Sequence, residues 1–432
     1  MAMADLFEKT EINGMTLSNR LVRSATWVGM ATDEGACTPP MIDLLCDLAA
    51  GGVGMIITGH SYIRPDGQHS PWQLGIHRDA LIPGLQKLTQ SVHEHGGKIV
   101  MQLGFGGAYL SKSRVRGMAA QDFHSLAEAF GQAAARARQA GFDGVQILAA
   151  HGFFLSQLLC PRYNDRSDEY GGPLANRIRA LLAIQTAIRQ AVGHDYPLLV
   201  KLNCRDFVED GLTLDESIQA ARMIEAAGID AIEISGGLLN NPNIMHSRVD
   251  SDDTRGFFIA EAREFSKALQ VPLILVGGIR SYDAAREIVS DGVVDYIAMS
   301  RPFIREPGLI KRWQAGDRRP AACISCDNCF EPLKRGDGVA CQPLEPQAAE
   351  TFFPQLSEVL PASPPHAPGT SYRISIGLED WGSQYMPVVK VQMILNGRVS
   401  ERSPSFPLGS PDHRNVVRAI DGLLEKHKNQ QQ

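Results

Sequence analysis

Between residue 20 and about 315 the chain repeats one pattern eight times: a short, nearly unbroken apolar run followed by a longer amphipathic stretch. The runs are 21–26, 53–59, 98–103, 144–148, 198–203, 231–236, 272–278 and 295–301. A strand that is apolar on both faces must be covered on both, which is the situation of parallel strands flanked by helices. In the intervening stretches, for example 125–140 and 175–192, apolar residues recur at three and four, the period of a helix packed on one side. Several of these stretches end in Ala140-Gly141, Ala227-Gly228 or Gly96-Gly97, where glycine can adopt the left-handed conformation that ends a helix. Eight such units in roughly 300 residues predict an α/β fold, a (β/α)8 barrel. The alternative, a doubly wound sheet, normally carries a glycine fingerprint at its first strand–helix turn, and this chain has none there.

The pattern stops after Cys341. Residues 343–371 hold seven of the 25 prolines and are expected to form an extended linker. Beyond them, Ile374, Ile376 and Leu378 alternate on one face, as do Val389, Val391, Met393 and Leu395 before Asn396-Gly397, a hairpin-turn signal. A helix is expected from Ser410-Pro411, with Val416, Val417, Ile420, Leu423 and Leu424 as its apolar stripe. The predicted organisation is therefore a barrel over 1–342, a linker over 343–371 and a small ββ(β)α module over 372–432. So small a module has a marginal core and is expected to lean on the barrel or on a second copy in a homo-oligomer.

Charge narrows the partners. A net charge of −6 offers no basic excess to neutralise phosphates, which argues against nucleic-acid and anionic-membrane binding. No apolar run approaches the ~20 residues of a membrane span. The first ten residues mix charges among apolar groups, unlike a signal peptide. A soluble, cytoplasmic protein is expected. Eight cysteines fit that compartment as thiols: Cys37, Cys46, Cys160 and Cys204 are scattered fillers, whereas Cys323, Cys326, Cys329 and Cys341 crowd together like a ligand set.

In a barrel the chemistry lies where the strands end. The seventh run ends in Gly277-Gly278 and the eighth in Ser300-Arg301. Paired glycines let backbone amides close around an anion, and an arginine one strand over adds a bidentate phosphate clamp. Gln102 closes the third run and can both donate to and accept from a planar heterocycle. Lys201 lies inside the fifth run, where a buried ammonium needs a negative partner. It suits the electron-rich edge of a flavin, or alternatively a Schiff-base nucleophile.

Two blocks make the pattern specific. Residues 17–26 with 52–59, and His151-Gly152-Phe153-Phe154-Leu155-Ser156-Gln157-Leu158-Leu159 followed by Pro161-Arg162-Tyr163-Asn164-Asp165-Arg166, resemble the old yellow enzyme family of flavin reductases. The resemblance runs from about residue 5 to 342. It implies a barrel holding FMN, reduced by NAD(P)H, that passes hydride to a small acceptor such as an α,β-unsaturated carbonyl. By position, Ser24, Ala25, Thr26, Trp27 and Gly59 would line the flavin and Gln102 would bond its pyrimidine edge. Lys201 would sit near N1 and O2, and Gly277, Gly278, Ser300 and Arg301 would hold the phosphate. The family's carbonyl-gripping pair at the end of the fourth strand is reduced to His151, the expected catalytic residue, because Leu148 carries no donor. Phe153 lacks the hydroxyl of the family's proton-donating tyrosine. The cysteine quartet resembles the iron–sulfur branch of the family, which includes trimethylamine dehydrogenase and 2,4-dienoyl-CoA reductase. A [4Fe–4S] cluster on Cys323, Cys326, Cys329 and Cys341 is therefore one expectation, with zinc or unligated thiols as alternatives. Rival functions are an amine-type dehydrogenase passing electrons through such a cluster, and a weakened flavin-holding subunit that transfers electrons or binds a partner.

Overall fold

Each apolar run becomes a strand: β1 (Leu21–Arg23), β2 (Met55–Ile57), β3 (Ile99–Gly104), β4 (Gly144–Ala149), β5 (Leu198–Asn203), β6 (Ala231–Ser235), β7 (Leu273–Val276) and β8 (Tyr296–Met299). The computed structural model describes residues 5–106, 112–238, 256–342, 352–380, 385–395, 398–399 and 404–430. All eight strands pair in parallel with their neighbours, and β8–β1 pairing together with β2–β3 pairing closes the ring. This is the (β/α)8 barrel, with helices such as Arg179–Val192 outside it. That helix buries Leu181, Ile184, Ile188 and Val192 at spacings of three and four. The helix expected from residue 125 starts at Ala120, because the Asp122 carboxylate accepts the Ala119 N–H at 2.7 Å and caps an earlier turn.

The bottom of the barrel is closed by an element the periodicity does not announce. Thr10–Ile12 and Met15–Leu17 form an antiparallel hairpin around Asn13-Gly14, with φ of 43° and 78°. Ile12, Met15 and Leu17 pack with the inward side chains Val22, Met55 and Val100. One layer higher the inward side chains are polar: Gln102, Gln146, Lys201 and Glu233, all buried.

The chain divides into two compact units, Met1–Gln342 and Pro343–Gln432. The second is a four-stranded antiparallel sheet, β9 (Phe352–Pro361), β10 (Thr370–Asp380), β11 (Tyr385–Leu395) and β12 (Arg398–Val399), with the helix Asp412–Gln430. Tyr372, Ile374, Ile376, Met393, Val416 and Leu423 form its core. The stretch expected as linker thus contributes β9, whose prolines are tolerated because it is an edge strand. Val417 and Leu424, assigned above to the buried stripe, are 41% and 36% exposed, and Ala419 is buried instead. The expected Asn396-Gly397 turn lies outside the described residues, although Leu395 and Arg398 on either side of it pair.

Candidate active site

The strand ends surround a cavity of about 780 Å³, a volume suited to a small molecule or cofactor. Its floor is the polar layer. Lys201 and Glu233 are register partners on β5 and β6, with Nζ 3.0 Å from Oε1. Ser24 donates to the same carboxylate oxygen at 2.6 Å and accepts from Lys201 at 2.8 Å. On the other side, Gln146 Nε2 donates to Glu233 Oε2 at 2.8 Å, and Gln102 Nε2 donates to Gln146 Oε1 at 2.7 Å.

A carboxylate only accepts, so it dictates the orientation of both amides. Gln146 must turn its NH2 to Glu233, Gln102 then meets the Gln146 carbonyl, and the Gln102 carbonyl is left as an acceptor. Arg23, buried at the end of β1, also lies within the field of Glu233. Burial holds its pKa down to about 10, against the opposing pull of Glu233. Two cations around one carboxylate leave a net positive charge beneath the cavity, which is costly without an anionic partner. An acceptor beside a cation fits the N–H and the electron-rich edge of a flavin's pyrimidine ring.

At the β7–β8 corner the backbone is left bare. Gly277 and Gly278 have φ of 118° and 74°, and a Cβ on Gly278 would come within 2.7 Å of the Phe257 ring. Two guanidinium groups line the same cavity, those of Arg280 and Arg301. Arg301 donates to Asp327 Oδ1 at 2.7 Å, and Ser300 Oγ lies 2.6 Å from Thr26 Oγ1. A glycine-bared backbone with two arginines fits a phosphate group. Ser24, Ala25, Thr26 and Trp27 line the main cavity, whereas Gly59 borders a small adjoining cavity of about 20 Å³.

His151 lines the main cavity at a left-handed φ of 65°. Its backbone N–H donates to Asn203 Oδ1 at 3.0 Å, and its Nε2 lies 2.7 Å from Ser235 Oγ. Leu148, Ala150 and Phe153 form a separate apolar cluster beside it. Reading strand ends alone misses the segment after β2. His60, His69, Ser70, Pro71 and Trp72 all line the cavity, and the rings of His60 and His69 lie 4.9 and 5.2 Å from that of Phe153. Burial, helped by His69, pushes the His60 pKa down to about 3, so its imidazole is neutral. That segment has no helical or alternating period, but two histidines within twelve residues of a strand end were a usable signal. Glu233 was also missed. It is the one acidic residue inside the eight runs' interiors facing Lys201 across a strand pair.

The fold brings the cysteine quartet into one neighbourhood, Cys323 beside Cys326 and Cys341, and Cys329 beside Cys323 and Cys341. Among the described residues no group of three or more His, Cys, Asp or Glu side chains is arranged to hold a metal ion. Ser325 and Asp327, at φ of 56° and 63°, turn the loop so that its polar groups meet Arg301, while Cys323 O accepts from Arg280. Burial, then Asp327, pushes the Cys329 thiol up to about 12, and burial raises Cys323 as well. Metal ligation by Cys323, Cys326, Cys329 and Cys341 is not shown by this arrangement, and no chemical step is assigned to a metal.

Comparison with known proteins agrees with this geometry. The chain matches the NADH:flavin oxidoreductase / NADH oxidase family over residues 5–116 and 110–319. It is 33% identical to an NADPH dehydrogenase of Bacillus subtilis over 322 residues, 70% of this chain and 92% of that protein. It is 31% identical to an NADH oxidase of Thermoanaerobacter brockii over 347 residues, 75% of this chain but only 53% of that protein, so it spans about half of this longer relative. The structure of a 2-naphthoyl-CoA reductase with 2-naphthoyl-CoA superposes with a TM-score of 0.71 at 25% identity, covering 78% of this chain and 56% of the other. With a closed barrel, a buried polar floor and a family match across most of the barrel, the chain belongs to the NADH:flavin oxidoreductase / NADH oxidase family.

Proposed function

We propose that this chain is an FMN-dependent oxidoreductase that takes hydride from NAD(P)H and delivers it to a small unsaturated carbonyl compound. The observation that carries the reading is the pairing of the glycine–arginine corner with the Gln102–Gln146–Glu233–Lys201 floor across one cavity. One end fits a phosphate and the other a flavin pyrimidine. NADPH dehydrogenase and NADH oxidase as relatives support a reduced nicotinamide as donor.

Bound FMN would supply the hydride-accepting and hydride-donating ring. The chain's own part is to hold and orient. Gly277, Gly278, Ser300, Arg301 and Arg280 would bind the phosphate, and Lys201 with the Gln102 carbonyl would seat the ring edge. Ser24 would keep the Lys201 ammonium directed toward the ring, while Ala25, Thr26, Trp27 and Gly59 would pack along it. His151, held by Ser235, would stand at the substrate side with its ring fixed. Cofactor released by heating the purified protein should run as FMN on chromatography, and NAD(P)H should bleach its absorbance near 450 nm. Release of FAD, or no bleaching, would overturn the reading.

The cysteine spacing supports a second, subordinate proposal: a [4Fe–4S] or zinc site formed by Cys323, Cys326, Cys329 and Cys341 when metal is present. Metal analysis of protein purified without oxygen tests it, with about four irons per chain expected for a cluster. Loss of the metal in Cys326→Ser would support the site, and absence of both iron and zinc from the wild type would end it. Thiols throughout, with no disulfide among the described residues, support placing the protein in a reducing compartment such as the cytoplasm.

A further inference from the structure

The Phe153 side of the cavity poses a problem that the family site does not solve. Leu148 and Phe153 offer no hydrogen bond, and the His151 Nε2 is already engaged by Ser235. Across from Phe153 stands His60, one residue past the Gly59 that abuts Thr26. Its side chain makes no hydrogen bond among the described residues, and its Nε2 is sealed in the wall without a partner. Nδ1 has no partner either, yet it is not among the sealed atoms, so it is the ring nitrogen that keeps contact with open volume.

A buried polar group with no partner is destabilising unless a ligand or water completes it. We propose that His60 is a substrate-binding residue, donating a hydrogen bond from Nδ1 to the carbonyl oxygen of a neutral unsaturated ketone or aldehyde. The proposal rests on the function given above and names the group that takes over carbonyl recognition in this chain. A neutral imidazole has a single N–H. With the proton on Nδ1, the sealed Nε2 keeps only a lone pair. A neutral N–H donor suits a neutral acceptor such as a carbonyl oxygen. The rings of His60, His69 and Phe153 would flank the carbon frame of the ligand. His69 is held by Ser70 Oγ at 2.8 Å from its Nδ1, which keeps its ring in place as one side of the pocket.

The test uses the oxidised, FMN-loaded full chain without NAD(P)H, so that 2-cyclohexenone binds but is not turned over. Titration followed by 15N NMR of the histidine side chains should move the His60 Nδ1 resonance on saturation. His60→Phe should raise the dissociation constant at least tenfold at unchanged FMN content, and His60→Asn, which keeps an N–H near the Nδ1 position, should recover part of the loss. An unmoved His60 resonance at saturation, or equal affinity in His60→Phe, would overturn the assignment. If His60→Phe loses its FMN, the wild-type resonance alone gives the answer. Bleaching of FMN by NAD(P)H in the wild type is measured separately: if it fails, the functional reading falls. If it succeeds while 2-cyclohexenone does not bind, only the role of His60 falls.

Discussion

Phe153 is the residue whose chemistry most limits this site. Reducing an enone requires hydride at one carbon and a proton at its neighbour, and a phenyl ring cannot give that proton. A positioned acid typically contributes 10²–10⁴-fold, or about 3–5 kcal/mol of barrier. Slow turnover of cyclic enones is therefore expected beside competent oxidation of NAD(P)H. Phe153→Tyr should raise enone turnover at least tenfold, measured as NADPH consumed with 2-cyclohexenone. No gain would mean that Trp27 and Leu148 have reshaped the pocket around a different substrate. Glu233 sets the other limit. Removing its charge strands Lys201 and Arg23 together in the barrel interior, and breaking a buried pair costs about 3–5 kcal/mol. Glu233→Gln should lower the thermal midpoint and weaken FMN binding; a midpoint equal to wild type would show that the carboxylate does not hold the floor. Lys201 was legible as a residue in need of a partner, because an ammonium inside an apolar run is conspicuous. Its partner was not, because the pairing of Lys201 with Glu233 is a matter of register between strands 32 residues apart.

At the scale of elements, the eight strands were legible because burial on both faces leaves an unbroken apolar run. The closing hairpin escaped because its strands are three residues each, too short for a period, although Asn13-Gly14 is itself a turn signal. The segment after β2 escaped for a related reason: it is shaped by hydrogen bonds from Gln73 to His60 O and from His69 N to Gln73 Oε1 rather than by periodicity. Among the described residues, four of the seven non-glycine residues at positive φ line the cavity: Trp72, His151, Ser325 and Asp327. Such strain clusters where a site over-determines its backbone. The β7–β8 corner yields a direct test. Gly277, at φ 118°, lies where an L side chain costs about 1–3 kcal/mol, so Gly277→Ala should displace the backbone and weaken FMN retention about tenfold or more. Arg301→Ala should weaken it by the roughly 1.5–3 kcal/mol of a charged hydrogen bond. Asp327→Asn, which removes the charge paired with Arg301, should not weaken it. Equal FMN affinity in Arg301→Ala, measured by fluorescence titration of the flavin-free protein, would remove that arginine from the site.

Taken as a whole molecule, the chain carries two cores of very different depth. The barrel buries its strands almost completely, whereas the carboxy-terminal unit rests on a few residues around Tyr372, Ile374 and Val416. One ionised group organises that smaller core. Asp412, buried where its helix begins, accepts from Ser363 N at 2.9 Å and Ser363 Oγ at 2.5 Å, and from Tyr372 Oη at 3.0 Å. Burial alone would raise its pKa, but the hydrogen bonds from Ser363 and Tyr372 hold it below the usual carboxylate value. A carboxyl with a lower pKa folded than unfolded stabilises the fold above the unfolded value, near 3.9, and loses that contribution as pH falls through the folded one. The carboxy-terminal sheet should therefore loosen in acid before the barrel does. Asp412→Asn should remove about 1.5–3 kcal/mol from this unit at pH 7, the scale of hydrogen bonds to a charged group. Hydrogen exchange of the β10 and β11 amides reads the effect: faster exchange in the variant at neutral pH, with the gap to wild type closing as pH is lowered. The amides of β3 to β6 in the same experiment should not respond. A variant whose β10 amides exchange like wild type at pH 7 would show that apolar packing, and not the buried carboxylate, holds the sheet to its helix.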